Sequence, residues 1–157
     1  MKEKDYQQDL KKECLIEIVS TQKVDDDDDK IVVTTKGTYF KAPTGNYFIQ
    51  YKEYNDDEYS SFETTTIKVS ENQIFITRKG EHPSTLLLEN EKHHICHYFT
   101  PFGNIFIGIF THKLDFDFKQ DSFKISAEYT LDFDGEVASK NTFTIKTVQH
   151  KNEGKKI

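Results

Sequence analysis

Two charges in this sequence stand where charges are costly. Glu53 closes the alternating run Tyr47, Ile49, Tyr51, Glu53, and Arg78 closes the run Ile74, Ile76, Arg78. Residues two apart on a β-strand share a face, so if the apolar members of these rows face a core, the carboxylate and the guanidinium face it too. Buried charges need partners; these two could neutralise each other or fix the polar head of a ligand. The plainer alternative is an ion pair on the rim of the fold. Tyr51, Tyr129 and Thr111 would add hydroxyls to the same interior, although a buried tyrosine often only satisfies its hydroxyl while its ring fills space. His97 and Tyr98 complete the ligand-binding candidates. In an enzyme of hydrolase or isomerase type, His97 or Glu53 would be the general base, and Tyr98 or Arg78 would stabilise developing charge. No catalytic residue is assigned.

Metal and phosphate chemistry are poorly served. His93 and His97 share a strand face but stand about 13 Å apart at Cα by strand rise, too far to chelate one ion unless the strand bends. His94 and Cys96 are neighbours on the opposite face, and no CxxC or HExxH supplies further ligands. The run Asp25–Asp29 lacks the spaced ligand order and distal Glu of a calcium loop, so it reads as a solvated turn. Gly103 and Gly108 bracket no Lys-Ser or Lys-Thr and precede no helix, so they form no phosphate loop. No metal or cofactor is expected.

Positioning such a set is the work of strands. The segment from Tyr98 to Phe118 is the most strand-like, opening on the turn Thr100-Pro101-x-Gly103. Ile105, Ile107, Ile109 and Thr111 share one face, and Phe106, Gly108, Phe110 and His112 the other. Beyond Lys113 the apolar positions change from odd to even (Leu114, Phe116, Phe118), which requires a bulge or kink near His112 and Lys113. Phe106 and Phe110 then form either an outward patch for a second copy of the chain or a surface covered by the N-terminal arm. Further strand patterns run from Cys14, from Ile31 to Lys41 with Gly37 as a bulge or close-approach point, and through Tyr47–Tyr54, Phe62–Ser70, Gln73–Lys79, Leu86–Leu88 and His93–Phe99. Ser122–Asp134 is the most regular, with Phe123 to Phe133 inward; it turns at Asp134-Gly135 into Val137–Val148. Asn55–Ser60 reads as an acidic loop.

About ten strands with short turns and no long amphipathic helix favour an all-β, single closed antiparallel barrel of eight to ten strands; a two-sheet sandwich is the alternative. The domain covers residues 13–149, between a polar arm (1–12) and a polar tail (150–157). A chain of 157 residues suits one core, since a domain of roughly this size buries about 70% of its unfolded surface. Its 13 Phe and 8 Tyr offset a hydrophobic content of only 35%. A formal charge of −6 argues against a nucleic-acid partner, because phosphate neutralisation needs clustered Lys and Arg. Two distant cysteines, Cys14 and Cys96, and the lack of an apolar leader or a run long enough to cross a membrane point to reduced thiols and a cytoplasmic location.

The ordered set Gly37-x-Tyr39, Tyr51-x-Glu53, Thr65-x-Ile67-Lys68-Val69, Arg78-x-Gly80, His97-Tyr98-x-Thr100-Pro101-x-Gly103 and Thr111 resembles the YwiB-like family of small bacterial proteins of unknown function. The similarity runs from about Cys14 to Val148. It implies a lipocalin-like, calycin-type barrel in the cytoplasm and brings no characterised activity. The function expected is binding of a small apolar or amphipathic ligand inside the barrel. A protein-interaction module using the outer face is the alternative, ahead of an enzyme.

Overall fold

The computed structural model describes residues 11–54, 62–100 and 102–148, the side chains of Phe99 and Thr100 excepted. Most of the N-terminal arm, the acidic segment Asn55–Ser60, Pro101 and the C-terminal tail lie outside the described residues. Ten strands follow one another: β1 (Lys12–Val24), β2 (Asp27–Lys41), β3 (Tyr47–Tyr54), β4 (Phe62–Val69), β5 (Gln73–Lys79), β6 (Ser84–Glu89), β7 (His93–Thr100), β8 (Gly103–Phe118), β9 (Phe123–Phe133) and β10 (Glu136–Val148). Each pairs antiparallel with its sequence neighbours, and β1 pairs with β10 to close the barrel. Closure removes the unpaired strand edges that an open sheet of this composition would present.

The apolar half of the alternation makes the core. Ile16, Ile49, Ile67, Ile74, Leu88, Ile109 and Ile125 are fully buried, each contributing about 1.5–3 kcal/mol by its removal from water. At the end carrying the β2/β3 and β8/β9 turns, aromatic rings stop the lumen. Tyr47 stacks on Phe118 with ring centroids 3.8 Å apart, Phe118 on Phe123 at 5.6 Å, and Tyr39 meets Phe123 edge-on. The Tyr39 hydroxyl donates to the Gln120 carbonyl at 2.9 Å, so the plug leaves that hydroxyl satisfied.

The phase change in β8 is a bulge: its register on β9 shifts between Thr111 and Lys113. This keeps Thr111 and Leu114 both inward and spares the second half of the strand from turning its apolar side to water. Asp134 and Gly135 both take positive φ, 50° and 85°, as a two-residue hairpin turn of right-handed strands requires. Gly37 is the close-approach point. A Cβ there would overlap Ile16 Cδ1 and lie 2.7 Å from the Gln50 carbonyl oxygen, while the β2 register passes through it without a bulge.

Two expectations are corrected, and one feature is new. The aspartate run turns only at Asp25 and Asp26; Asp27 to Lys30 already belong to β2, where Lys23 faces Asp28 and Thr21 faces Lys30. This outer part of the hairpin is exposed, so charged residues extend a strand there without desolvation. Phe133 has inward parity but stands at the open end of β9 and is exposed. A second bulge, between Val137 and Ser139 in β10, has no counterpart in the sequence pattern.

One seam is thin. β6 and β7 share a single ladder pair, Ser84 with Tyr98, and the Leu87 amide donates to the Cys96 sulfur at 3.4 Å. At the foot of the seam His94 reaches Glu89 at 2.9 Å, with Lys92 3.6 Å away. The hydrogen bond to His94 is the main cause that holds the Glu89 carboxyl below its ordinary range. Among the described residues no helix is long and apolar enough to cross a membrane.

Candidate functional site

The inward face carries two polar rows above the apolar floor. The first follows the ladder register from Tyr51 on β3 to Thr65 on β4, Arg78 on β5, Ser84 on β6 and Tyr98 on β7. The second runs from Gln22 on β1 to Asn141 on β10, Tyr129 on β9 and Thr111 on β8. Directly opposite residues on neighbouring strands sit about 5 Å apart at Cβ, so each row is a connected stripe. Arg78 influences the Tyr129 hydroxyl electrostatically, which brings the two rows together across the lumen.

Charge concentrates one step toward the open end. Glu53 and Glu63 are directly opposite on β3 and β4, an arrangement that like charges disfavour. Arg78 answers both. Its Nη2 donates to Glu53 Oε1 at 3.1 Å and its Nε stands 4.0 Å from Glu63 Oε1. Thr65 donates to Glu53 at 3.4 Å. Glu63 also accepts the His82 backbone N–H at 2.7 Å, with His82 Nδ1 at 3.3 Å. Gly80 allows this: it has φ of +149°, and a Cβ would lie 2.6 Å from Glu63 Cγ and 2.9 Å from the Phe62 carbonyl oxygen. With glycine there, the β5/β6 turn folds close enough over Glu63 to donate to it.

The burial of this cluster is graded. The Glu63 side chain is 8% exposed, whereas Glu53 and Arg78 are 31% and 35% exposed. The ion pair therefore spans from interior to solvent. Below it, Thr111 is fully buried and its hydroxyl has no hydrogen-bond partner among the described residues. A buried hydroxyl left unpaired costs about 1–3 kcal/mol.

Burial pushes the Tyr51 hydroxyl well above the ordinary phenol range, helped by the Glu53 carboxylate and opposed by Arg78 and a hydrogen bond with Thr65. Burial likewise raises Tyr129, to about 12, against the pull of Arg78. Neither phenol is a ready base at neutral pH. Because the folded pKa of Tyr129 lies above the unfolded value, its neutral form gives stability that is complete below about pH 10 and is lost as pH rises toward 12. The Tyr129→Phe variant should keep about 2–3 kcal/mol more of its neutral-pH stability than the parent at pH 12, read from urea midpoints at both pH values. Both cysteine thiols, Cys14 and Cys96, are raised by burial, which makes them poor nucleophiles.

Of the sequence candidates, Tyr51, Glu53, Arg78, Tyr98, Thr111 and Tyr129 belong to the inward rows and the charged step above them. His97 does not: its parity is outward, it is exposed, and its ring lies 5.4 Å from that of Phe106. On the same outer face, His93 Nε2 lies 2.8 Å from Asp132 Oδ2 across the space left by Gly108. Sequence reasoning missed Glu63, His82, Ser84 and Asn141. Glu63 was legible, since Glu63, Thr65, Ile67 and Val69 alternate. Asn141 was legible too, since it alternates with the buried Phe143 and Ile145, whereas His82 depends on a turn and Ser84 on where β6 begins.

The comparisons with known proteins agree with this architecture. The crystal structure of the YwiB protein from Bacillus subtilis matches with a TM-score of 0.75 at 19% identity, covering 88% of this chain and 94% of that one. At that identity the likeness establishes the fold. No functionally curated protein matches. The model of the family described as a domain of unknown function, DUF1934, matches residues 16–145. The chain, a closed ten-stranded antiparallel barrel, belongs to that family.

Proposed function

We propose that this barrel is a binding module that receives the polar head of a small amphipathic ligand at its open end. The observation that carries it is the Arg78–Glu53 pair, about one third exposed and set beside inward polar rows that include tyrosine and threonine hydroxyls, over an apolar floor. Ligand sites commonly combine apolar walls with a few converging polar groups. Ile76, Leu86, Ile107 and Leu131 are partly buried and pack on the core, offering apolar wall, while the isoleucines and aromatic plug below fill the floor. The reading therefore favours a short molecule held by its head rather than a long chain threaded through the barrel. Two cavities of about 800 and 690 Å³ open mainly on outward side chains.

Native mass spectrometry of the purified chain tests this directly. The expected spectrum shows a non-covalent small-molecule adduct, reduced in Glu53→Gln and Tyr129→Phe. Adduct-free protein under all gentle conditions, together with no stabilisation by any compound in a thermal-shift panel, would reject the reading. At a hundredfold excess over Kd, a true ligand should add about 2.7 kcal/mol, or roughly 5–10 °C in Tm for a chain of this size.

A second reading, self-association, is favoured by a separate observation. Ile95 and Phe106 are each 65% exposed on the outer face of β7 and β8, and Phe110 is half-buried beside them, its ring 4.9 Å from that of His112. A second copy covering Phe106 and Phe110 would remove this surface from water. Sedimentation should then show a dimer that Phe106→Asp converts to monomer; a monomer at all concentrations would exclude it.

A further inference from the structure

The formal charge of −6 is not spread evenly. From Thr34 on β2 through β3 and β4 to Lys79 on β5, the outward positions include four lysines, Lys36, Lys52, Lys68 and Lys79, and no carboxylate. Among the described residues none of the four makes an ion pair. Lys52, Thr64 and Lys79 lie in one cross-strand row. One register step beyond the Gly37–Tyr51 pair, Lys36 comes beside Lys52. Like charges so placed repel, and among the described residues of these four strands no outward carboxylate relieves them. Both lysines line the 800 Å³ trough, where Glu13 of β1 is the only carboxylate among the lining residues.

Aromatic rings frame the lysines. On one side Phe40, Phe48, Lys68 and Phe75 form a row, with Phe40 and Phe48 stacked at 5.3 Å. On the other, Tyr54 pairs with Phe62, and the Lys52 ammonium lies 4.5 Å from the centre of the Phe62 ring. Tyr54, Phe62 and Phe75 are exposed. Between these rows Thr38, Gln50, Thr66 and Thr77 supply hydrogen-bonding groups.

We propose that this outer face of β2–β5 binds single-stranded nucleic acid, with phosphates on the Lys36, Lys52 and Lys79 row and bases against Phe75, Phe62 and Tyr54. Cationic stripes interleaved with exposed rings suit an unpaired strand, whose bases are free to stack. A duplex hides its base faces, and an acidic peptide would use the lysines without the rings. The formal charge count argued against such a partner because it averages over faces that the barrel separates.

Fluorescence anisotropy of the full chain with a labelled single-stranded oligonucleotide of about a dozen nucleotides tests the proposal between about 50 and 200 mM salt. The expected result is saturable binding whose log–log salt slope is about −2 to −3, since each phosphate contact contributes about −0.7. The double variant Lys36→Ala/Lys52→Ala should reduce the slope by about 1.4. Phe75→Ala should weaken binding about tenfold with the slope unchanged. These side chains are exposed, and unchanged circular dichroism would show that the variants remain folded. Absence of binding at low salt, indifference to the lysine variant, equal affinity for a duplex or polyglutamate, or binding only to anionic vesicles would each overturn the proposal.

Discussion

Replacing Arg78 by alanine should destabilise the barrel by about 2–4 kcal/mol, measured as a lowered urea midpoint with an unchanged m-value. Removing one partner of a buried ion pair costs about 3–5 kcal/mol because the other is left uncompensated, and the figure is reduced here because Arg78 and Glu53 are about one third exposed. The loss has a specific origin. Without the guanidinium, Glu53 and Glu63 face each other across the β3/β4 ladder and lose the cation they share; Thr65 still donates to Glu53 and His82 to the almost wholly buried Glu63. Glu53→Gln alone should cost only about 1 kcal/mol, since it leaves Arg78 facing Glu63. Combined with Arg78→Ala it should return part of the loss, because the opposed carboxylates become one. A double-mutant cycle reads this coupling. Strict additivity would show that Arg78 stabilises only through its aliphatic stem.

Gly37→Ala should cost about 3 kcal/mol or more, the upper end for overpacking, and is read from the same urea midpoints. The added methyl meets the Ile16 side chain, the Gln50 carbonyl at 2.7 Å and Tyr51 Cβ at 3.2 Å. Two of the three obstacles are tied to β3 backbone and cannot swing away. Two other glycines calibrate the result. At Gly108 the nearest atoms an added methyl meets are the side-chain tips of His93 and Asp132, which can swing away, so Gly108→Ala should cost under about 1 kcal/mol while parting that partly exposed pair. At Gly45 nothing lies within 4 Å, but φ is +100°, so alanine should cost about 1 kcal/mol through backbone strain alone. If Gly37→Ala were as mild as Gly108→Ala, the close contact of β1, β2 and β3 at this point would be wrong.

These two sites show where sequence reasoning reaches. Inward placement of Glu53 and Arg78 followed from parity alone, as did the bulge after Thr111, because period-two patterning gives each strand residue only two faces. Glycine at position 37 was legible as a point of close approach, but its neighbours were not. His97 shows the limit: it was grouped with inward residues although its neighbours Cys96 and Tyr98 carry the opposite parity, and the structure puts it outside beside Phe106.

Sequence by itself determined an all-β chain of about ten strands, the aromatic and β-branched residues that line its core, and which side of most strands turns inward. Local alternation encodes these, and the hydrophobic effect enforces them strand by strand. Only the tertiary structure decided which strand ends share a level of the barrel. Register and closure set Glu53 against Glu63, bring Tyr129 within the field of Arg78, and gather Lys36, Lys52 and Lys79 onto one face of β2–β5 whose described outward positions carry no carboxylate. Those distances arise from pairing between strands joined across turns and from the meeting of β1 with β10, which no window of the sequence contains.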